Sequence, residues 1–359
     1  MDTQNNTSKA LNVDTIRVIA IVGVILIHAS SDLTTNFVRF GFSRWMMVDI
    51  YQSFGLMGVP LFLMLSGALL LNNSKKDEDP IDFFKKRFTR IGLPFIFWSI
   101  FYFIWMFYAE NQTLTPGFII NGVLGGSHFI LWYLYMLVGL YLVTPMLRVM
   151  VAHFTDRLFK YFLCLWFIGT TIPPLIVLFS NGQYHLSVSI FILPLYVGYF
   201  VAGAYLVNVN MRRRVLGALT FLGFILTVIA TAVMAIFQIE NGDISLFQLY
   251  YSPFVILASF SFFMLLNSYA KPKVVVQTQK PSWKQRLIHT ISENTLPLYL
   301  LHMIIISLIQ RGFFFGLRLN GDTVNSIIGI PLMTILTLGV CLLIIVPLKK
   351  IPGLRHLIG

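Results

Sequence analysis

Charge is what this 359-residue sequence has least of. Lys, Arg, Asp and Glu together make up 11% of it, against 57% hydrophobic residues, and the mean hydropathy is +0.78. A soluble domain carries about a quarter charged residues. A chain this short of charge cannot cover itself with polar surface in water. The bilayer is its expected solvent, and it reads as a multi-span membrane protein. Cysteine is equally scarce. Cys164 and Cys341 sit inside apolar runs, with no metal-ligand spacing and no disulfide framework. Both are expected to be buried as small apolar residues. No soluble domain, low-complexity tract or internal repeat is visible. A cleaved signal peptide is not expected either. Lys9 precedes an apolar core, but Asp14 and Arg17 interrupt it, and "HASSDL" is a poor cleavage site.

Acids are the rarer sign, 14 against 26 Lys and Arg, for a formal net charge of +12. In a soluble protein that excess would point to nucleic acid. Here the basic residues lie in short loops between apolar runs, where they set topology, and some can also meet anionic headgroups or an anionic substrate. About twenty apolar residues span a bilayer as a helix. Ten runs qualify, at approximately 11–30, 48–72, 88–108, 128–148, 158–179, 188–207, 215–237, 247–267, 292–311 and 325–347. Arg17 lies inside the first. Arg39, Arg44, Arg311 and Arg318 lie in loops on one side, and every other Lys and Arg lies in the loops and tails of the other. The positive-inside rule then places both termini in the cytoplasm. The expected fold is an all-α bundle of about ten transmembrane helices in the inner or plasma membrane. Residues 1–10 and 348–359 are its cytoplasmic tails, and 11–347 its membrane domain. Aromatic stretches such as "FIFWSIFYFIWMFY" at 95–108 read as interfacial belt and lipid-facing packing.

The first run, "RVIAIVGVILIH", opens on Arg17 and closes on His28. In a helix the two Cα atoms stand roughly 16 Å apart along the axis, and eleven steps of about 100° bring both side chains to the same face. Ionisable residues inside a span are expensive and usually face a cavity or a partner. A snorkelling arginine and an interfacial histidine are the bland alternative. The spacing alone leaves the two readings about even.

Further segments extend the pattern. "LNVDTIRVIAIVGVILIH" adds Asp14. "GVPLFLMLSGALLL" ends its apolar run at Ser66 and Gly67. "FFKKRFTRIGLPFIFW" is a basic entry with Lys85, Lys86, Arg87, Arg90 and Pro94. "HFILWYLYMLVGLYLVTPML" carries His128, Trp132, Tyr133 and Pro145, and "SENTLPLYLLH" carries Ser292, Tyr299 and His302. Taken in order, these resemble the membrane-bound acyltransferase family three, whose hallmark is an arginine, ten residues and a histidine in the first helix. The resemblance runs from about residue 11 to 305. Between 150 and 285 it is one of hydropathy alone.

That resemblance implies transfer of an acyl group, most often acetyl, from cytoplasmic acyl-CoA to a hydroxyl of an extracytoplasmic or lipid-linked glycan. The branch it looks closest to is that of stand-alone surface-polysaccharide O-acetyltransferases. The extra esterase-like domain of many relatives is not expected, because the chain ends soon after its tenth run. Acyl-CoA would be a co-substrate, with no permanently bound cofactor and no metal. Membrane lipids would be further partners, and a second copy of the chain a candidate one.

The chemistry supports the same roles. A sugar hydroxyl attacking a thioester needs a base, and an imidazole titrating near 6.5 suits that task. His28 is the catalytic candidate as base, with direct acylation of the ring as the alternative. Arg17, Arg87, Arg90, Lys85 and Lys86 are candidates for holding the anionic end of acyl-CoA. Asp14, Ser66, His128, Trp132, Tyr299 and His302 are supporting or acceptor-site candidates. Asp32 is a candidate to orient His28 or a solvated loop residue. Glu293 is expected at a helix start, where acid favours the dipole. The function of another class to weigh is a glycan or small-solute transporter or flippase, which ten spans and the interrupted "FGLMGVPLF" would also suit.

Overall fold

A computed structural model describes residues 11–34, 37–71, 78–180, 195–237, 249–270, 282–313, 316, 319 and 325–359. Lys9, Lys75, Lys76, Lys271, Lys273, Lys280 and Arg318, and the side chains of Asp32 and Arg39, lie outside them. Every regular element among the described residues is helical. Seven stretches are long and apolar enough to cross a membrane: Val13–Ser31, Gly41–Leu70, Pro80–Ala109, Pro116–Ala152, Asp156–Ile176, Arg213–Ile236 and Ser326–Leu348. An eighth results if Trp283–Glu293 and Thr295–Gln310 are one broken span. The sixth and eighth expected runs carry shorter apolar helices, Tyr196–Leu206 and Pro253–Ser268. The chain divides into two compact units.

The first unit comprises Met1–Asn72 and His153–Ser292. Its helices are α1 (Val13–Thr34), α2 (Phe37–Gly55), α3 (Gly58–Leu70) and, after the second unit's segment, α8 (Asp156–Phe179), α9 (Leu195–Leu206), α10 (Arg213–Phe237), α11 (Pro253–Ser268) and α12 (Trp283–Glu293). α1 packs on α2 and α3, α3 on α9, and α10 on α11 and α2. Lipid tails are as apolar as leucine, so burial alone does not pull helices together; close backbone approach does. Glycines supply it. A Cβ on Gly58 would stand 2.7 Å from the Ala20 carbonyl oxygen, and one on Gly67 would overlap the Phe200 carbonyl. Polar pins add to this. The Thr231 hydroxyl of α10 donates to Asp49 of α2 at 2.7 Å, and both residues are fully buried.

The second unit comprises Asn73–Ala152 and Glu293–Gly359. It holds α4 (Pro80–Arg87), α5 (Leu93–Ala109), α6 (Pro116–Gly125), α7 (Trp132–Ala152), α13 (Thr295–Gln310), α14 (Ser326–Leu348) and α15 (Leu354–Ile358). α13 packs on α14 and α15 on α5. Aromatic donors reach across to carbonyls. Trp98 Nε1 donates to Ile358 at 3.3 Å, Tyr102 donates to Leu300 at 2.8 Å, and Tyr299 donates to Ile130. Each satisfies a polar tip that lipid cannot.

Two expectations are corrected. Cys341 is buried, but Cys164 is exposed. In lipid both faces of a helix are apolar, so hydropathy does not say which side of α8 turns inward. Glu293 ends α12 rather than opening the ninth span, whose N-cap is Asn294. The polar "WKQRLIHTISE" forms a helix of its own ahead of that span.

The glycine contacts give a stability test. Gly67→Ala forces a methyl into the Phe200 backbone, and overpacking of this kind costs roughly 1–3 kcal/mol. The melting temperature of the purified protein should fall. Gly217→Ala, where nothing lies within 4 Å, should leave it unchanged or raise it through better helix propensity. Equal melting temperatures for the two variants would remove the close-approach account.

Candidate functional site

α1 runs unbroken from Val13 to Thr34. The eleven-residue spacing of Arg17 and His28 is therefore a real helical spacing, and both residues are half-buried. Asp14 sits in the first turn, where a carboxylate favours the helix dipole. It accepts from the Ser292 hydroxyl at 2.6 Å and lies 3.1 Å from His289 Nδ1, both on α12. Asp14 thus ties the start of α1 to α12. His289 carries no motif in the sequence. Its place in α12 becomes visible once the polar eleven-residue stretch is recognised as a helix. Ser66 is half-buried on α3, which packs against α1.

The basic candidates belong to the second unit. Asp79 caps α4, accepting from the Ile81 and Asp82 amides at 2.8 and 3.1 Å, with Pro80 as the first helical residue. α4 runs into a π-helical turn, Phe88–Gly92, in which the Leu93 amide bonds to the Phe88 carbonyl. Pro94 explains the widening. It has no amide hydrogen to give the Arg90 carbonyl four residues back, so the regular pattern cannot continue. Arg90 lies in this turn and Arg87 closes α4 just ahead of it. Lys85 and Arg90 are exposed. Lys86 bonds to Glu78 at 2.7 Å. The Arg87 guanidinium lies 5.4 Å from the Phe83 ring and 5.9 Å from the Tyr141 ring.

Two further cations stand here that sequence reading assigned to topology. Arg148 is buried, pairs with Glu78 at 2.8 Å, and lies 4.5 Å from the Phe83 ring. Lys349 donates to the Glu293 carbonyl at 3.3 Å. Its ammonium titrates below its usual value because burial penalises the charge. Glu293 opposes that shift and Arg90 adds to it.

The remaining candidates form an aromatic–imidazole group. His128 accepts the Ile130 amide on Nδ1 at 3.4 Å and so caps the 3-10 turn Phe129–Leu131 that leads into α7. That bond requires the proton on Nε2, which lies 4.0 Å from Glu110 Oε1. The ring stacks on Tyr102 with centroids 4.5 Å apart. Through Nδ1, His128 holds the start of α7. Trp132 opens α7 and meets Tyr133 edge-on. Tyr299 is held through its hydroxyl on Ile130. His302 is fully buried and its Nδ1 lies 2.5 Å from the Tyr299 carbonyl. A carbonyl accepts only, so Nδ1 carries the proton and Nε2 is the basic nitrogen. Among the described residues, no group of three His, Cys, Asp or Glu is placed to hold a metal.

The acyltransferase domain of family three matches residues 11–346. The chain belongs to that family. The family's model is that of an acyltransferase domain, and the apolar helices agree with a multi-pass membrane setting. A curated relative with similarity is the succinoglycan biosynthesis protein ExoH of Rhizobium meliloti (strain 1021), 26% identical over 116 residues. The match covers 32% of this chain and 31% of that protein, so about a third of the relative's length is spanned. No solved structure matches.

The cap makes a prediction. His128→Ala removes the acceptor for Ile130 and should lower the melting temperature, by an amount in line with the ~0.5–2 kcal/mol of a lost N-cap. Binding of acetyl-CoA per folded molecule should be unchanged. A variant of full stability and weakened binding would return His128 to the functional group.

Proposed function

We propose that the protein is an integral membrane O-acyltransferase of about ten spans with cytoplasmic termini. It moves an acyl group, acetyl first among them, from cytoplasmic acyl-CoA to a hydroxyl of an extracytoplasmic or lipid-linked glycan. The observation that carries this reading is one unbroken helix bearing Arg17 and His28 eleven residues apart in a chain of the acyltransferase family. The succinoglycan-biosynthesis relative supports a polysaccharide as acceptor.

In this reading Arg17, Arg87, Arg90, Lys85 and Lys86 hold the phosphates of acyl-CoA through charge-assisted bonds. The pantetheine arm, of the same order of length as the Arg17–His28 rise, lies along α1 and brings the thioester to the imidazole. His28 takes the proton of the attacking hydroxyl. The C–O bond forms, the C–S bond breaks, and the proton passes to the departing CoA thiolate. The reaction is then balanced without metal or redox partner.

His28→Ala should fold and bind acetyl-CoA while transfer falls by the 10²–10⁴-fold typical of a lost general base. The measurement is acetyl transfer to the native glycan per folded molecule. Retention of more than about a tenth of wild-type turnover would remove His28 as the base and favour the transporter reading. Replacing Arg17, Arg87 or Arg90 by Ala removes a charged hydrogen bond worth about 1.5–3 kcal/mol, and so should weaken acetyl-CoA binding roughly ten- to a hundredfold. Unchanged affinity in all three would sink the donor site. For topology, a cysteine placed at residue 280 should resist an impermeant thiol reagent in intact cells. Labelling from outside would invert the orientation.

A further inference from the structure

One carboxylate, three cations and two rings meet around α4. Phe83 is fully buried. The Arg148 guanidinium lies 4.5 Å from its centroid and that of Arg87 5.4 Å. Tyr141, on α7, meets Phe83 edge-on at 6.2 Å and stands 5.9 Å from the Arg87 guanidinium. Glu78 divides its oxygens. Oε1 takes Lys86 at 2.7 Å and Oε2 takes Arg148 at 2.8 Å. Arg87 receives no share of it. Its Nε is buried with no hydrogen-bond partner among the described residues.

Three physical points follow. α4 leads through a π turn into α5, and where the helix widens the direction of the residues ahead of it depends on their ties to neighbours. The Glu78–Arg148 pair is such a tie, running from the residue before the α4 cap to α7. A buried guanidinium N–H without an acceptor is costly, and an anionic oxygen is what completes it. Finally, Glu78 is held below the usual carboxylate range, first by the bond from Lys86 and further by Arg148, with burial opposing. The pair is therefore charged throughout the neutral range. Lost protonation energy would weaken it only as the pH falls through the lowered value.

We propose that Glu78, Arg148 and Phe83 are positioning residues for Arg87: the ion pair fixes the Phe83 ring, the ring fixes the guanidinium, and Arg87 meets a phosphate of the acyl-CoA donor. This rests on the donor site of the proposed function. It adds that the arginine is aimed by a carboxylate and a ring outside the basic motif.

The test is a double-mutant cycle on the full-length protein in lipid nanodiscs, with acetyl-CoA as the probe and the melting temperature recorded for each variant. Glu78→Gln and Arg148→Lys should each weaken acetyl-CoA binding by about tenfold, since lysine cannot reproduce the stacked, planar fork. The decisive arm is Glu78→Gln combined with Arg87→Ala. If Glu78 acts through Arg87, the double variant binds no more weakly than Arg87→Ala alone. A merely structural role makes the two losses add, and that overturns the inference, as does full affinity in Glu78→Gln. Where Glu78→Gln fails to accumulate, Phe83→Leu, which keeps the ion pair, takes its place in the cycle with the same expected non-additivity. If Arg87→Ala itself binds normally, the donor-site reading fails and the inference with it. If Arg87→Ala weakens binding and both partners add to it, the donor site stands and the positioning fails.

Discussion

Lipid removes the ordinary reason for helices to assemble, and the architecture of both units follows from what replaces it. An apolar side chain gains little by leaving hydrocarbon for a protein interior. What remains is close contact between backbones and the satisfaction of polar groups that lipid leaves bare. In the first unit, Gly58 against Ala20 and Gly67 against Phe200 let main chains touch where any Cβ would intrude. The Thr231–Asp49 bond adds a directional contact within an otherwise apolar interface. In the second unit the same need appears as indole and phenol donors aimed at carbonyls of distant segments.

Ionisable side chains obey the same rule more strictly. Asp14 is engaged by Ser292 and His289, Asp49 by Thr231, and Arg148 by Glu78 together with an aromatic face. Against that background the basic segment 85–90 is different in kind. Its Lys85 and Arg90 are exposed, and Arg87 rests on rings with a desolvated Nε. Among the described residues of this segment, the Glu78 carboxylate is shared by Lys86 and Arg148, and Arg87 is left to the rings.

Much of this was legible in the sequence. Every one of the ten expected runs carries a helix, and the break written in "FGLMGVPLF" is the boundary between Gly55 and Gly58. The Arg17–His28 spacing could be read directly because helix geometry converts separation into direction without further information. The remainder was hidden for identifiable reasons. Length was misjudged at Pro253–Ser268 because hydropathy marks a segment as apolar without fixing where its first turn begins. Cys164 faced the wrong way because amphipathicity, the guide to facing in water, is absent when both surroundings are apolar. Arg148 and Lys349 looked like loop charges because their partners, Glu78 and the Glu293 carbonyl, lie far off in sequence. His289 was invisible because a polar helix of eleven residues ahead of a span has the composition of a loop.

Several of the candidate residues sit where regular helix fails. Arg90 lies in the π turn that Pro94 imposes and Arg87 just ahead of it, His128 caps a 3-10 turn rather than joining α7, and Asn294 separates Ser292 from the helix of Tyr299 and His302. A continuous helix satisfies its own backbone and leaves nothing to offer a ligand. An interrupted one exposes amides and carbonyls that side chains must then answer, and those side chains are held at fixed positions in consequence. α1 is the exception that completes the logic. It stays regular over 22 residues, and regularity is what keeps Arg17 and His28 on a common face. Any bulge or kink between Arg17 and His28 would rotate one relative to the other by a large part of a turn and take them off a common face. The family's fixed interval of ten residues is thus a constraint on the helix as much as on the two side chains, since the spacing has meaning only while the helix between them is unbroken.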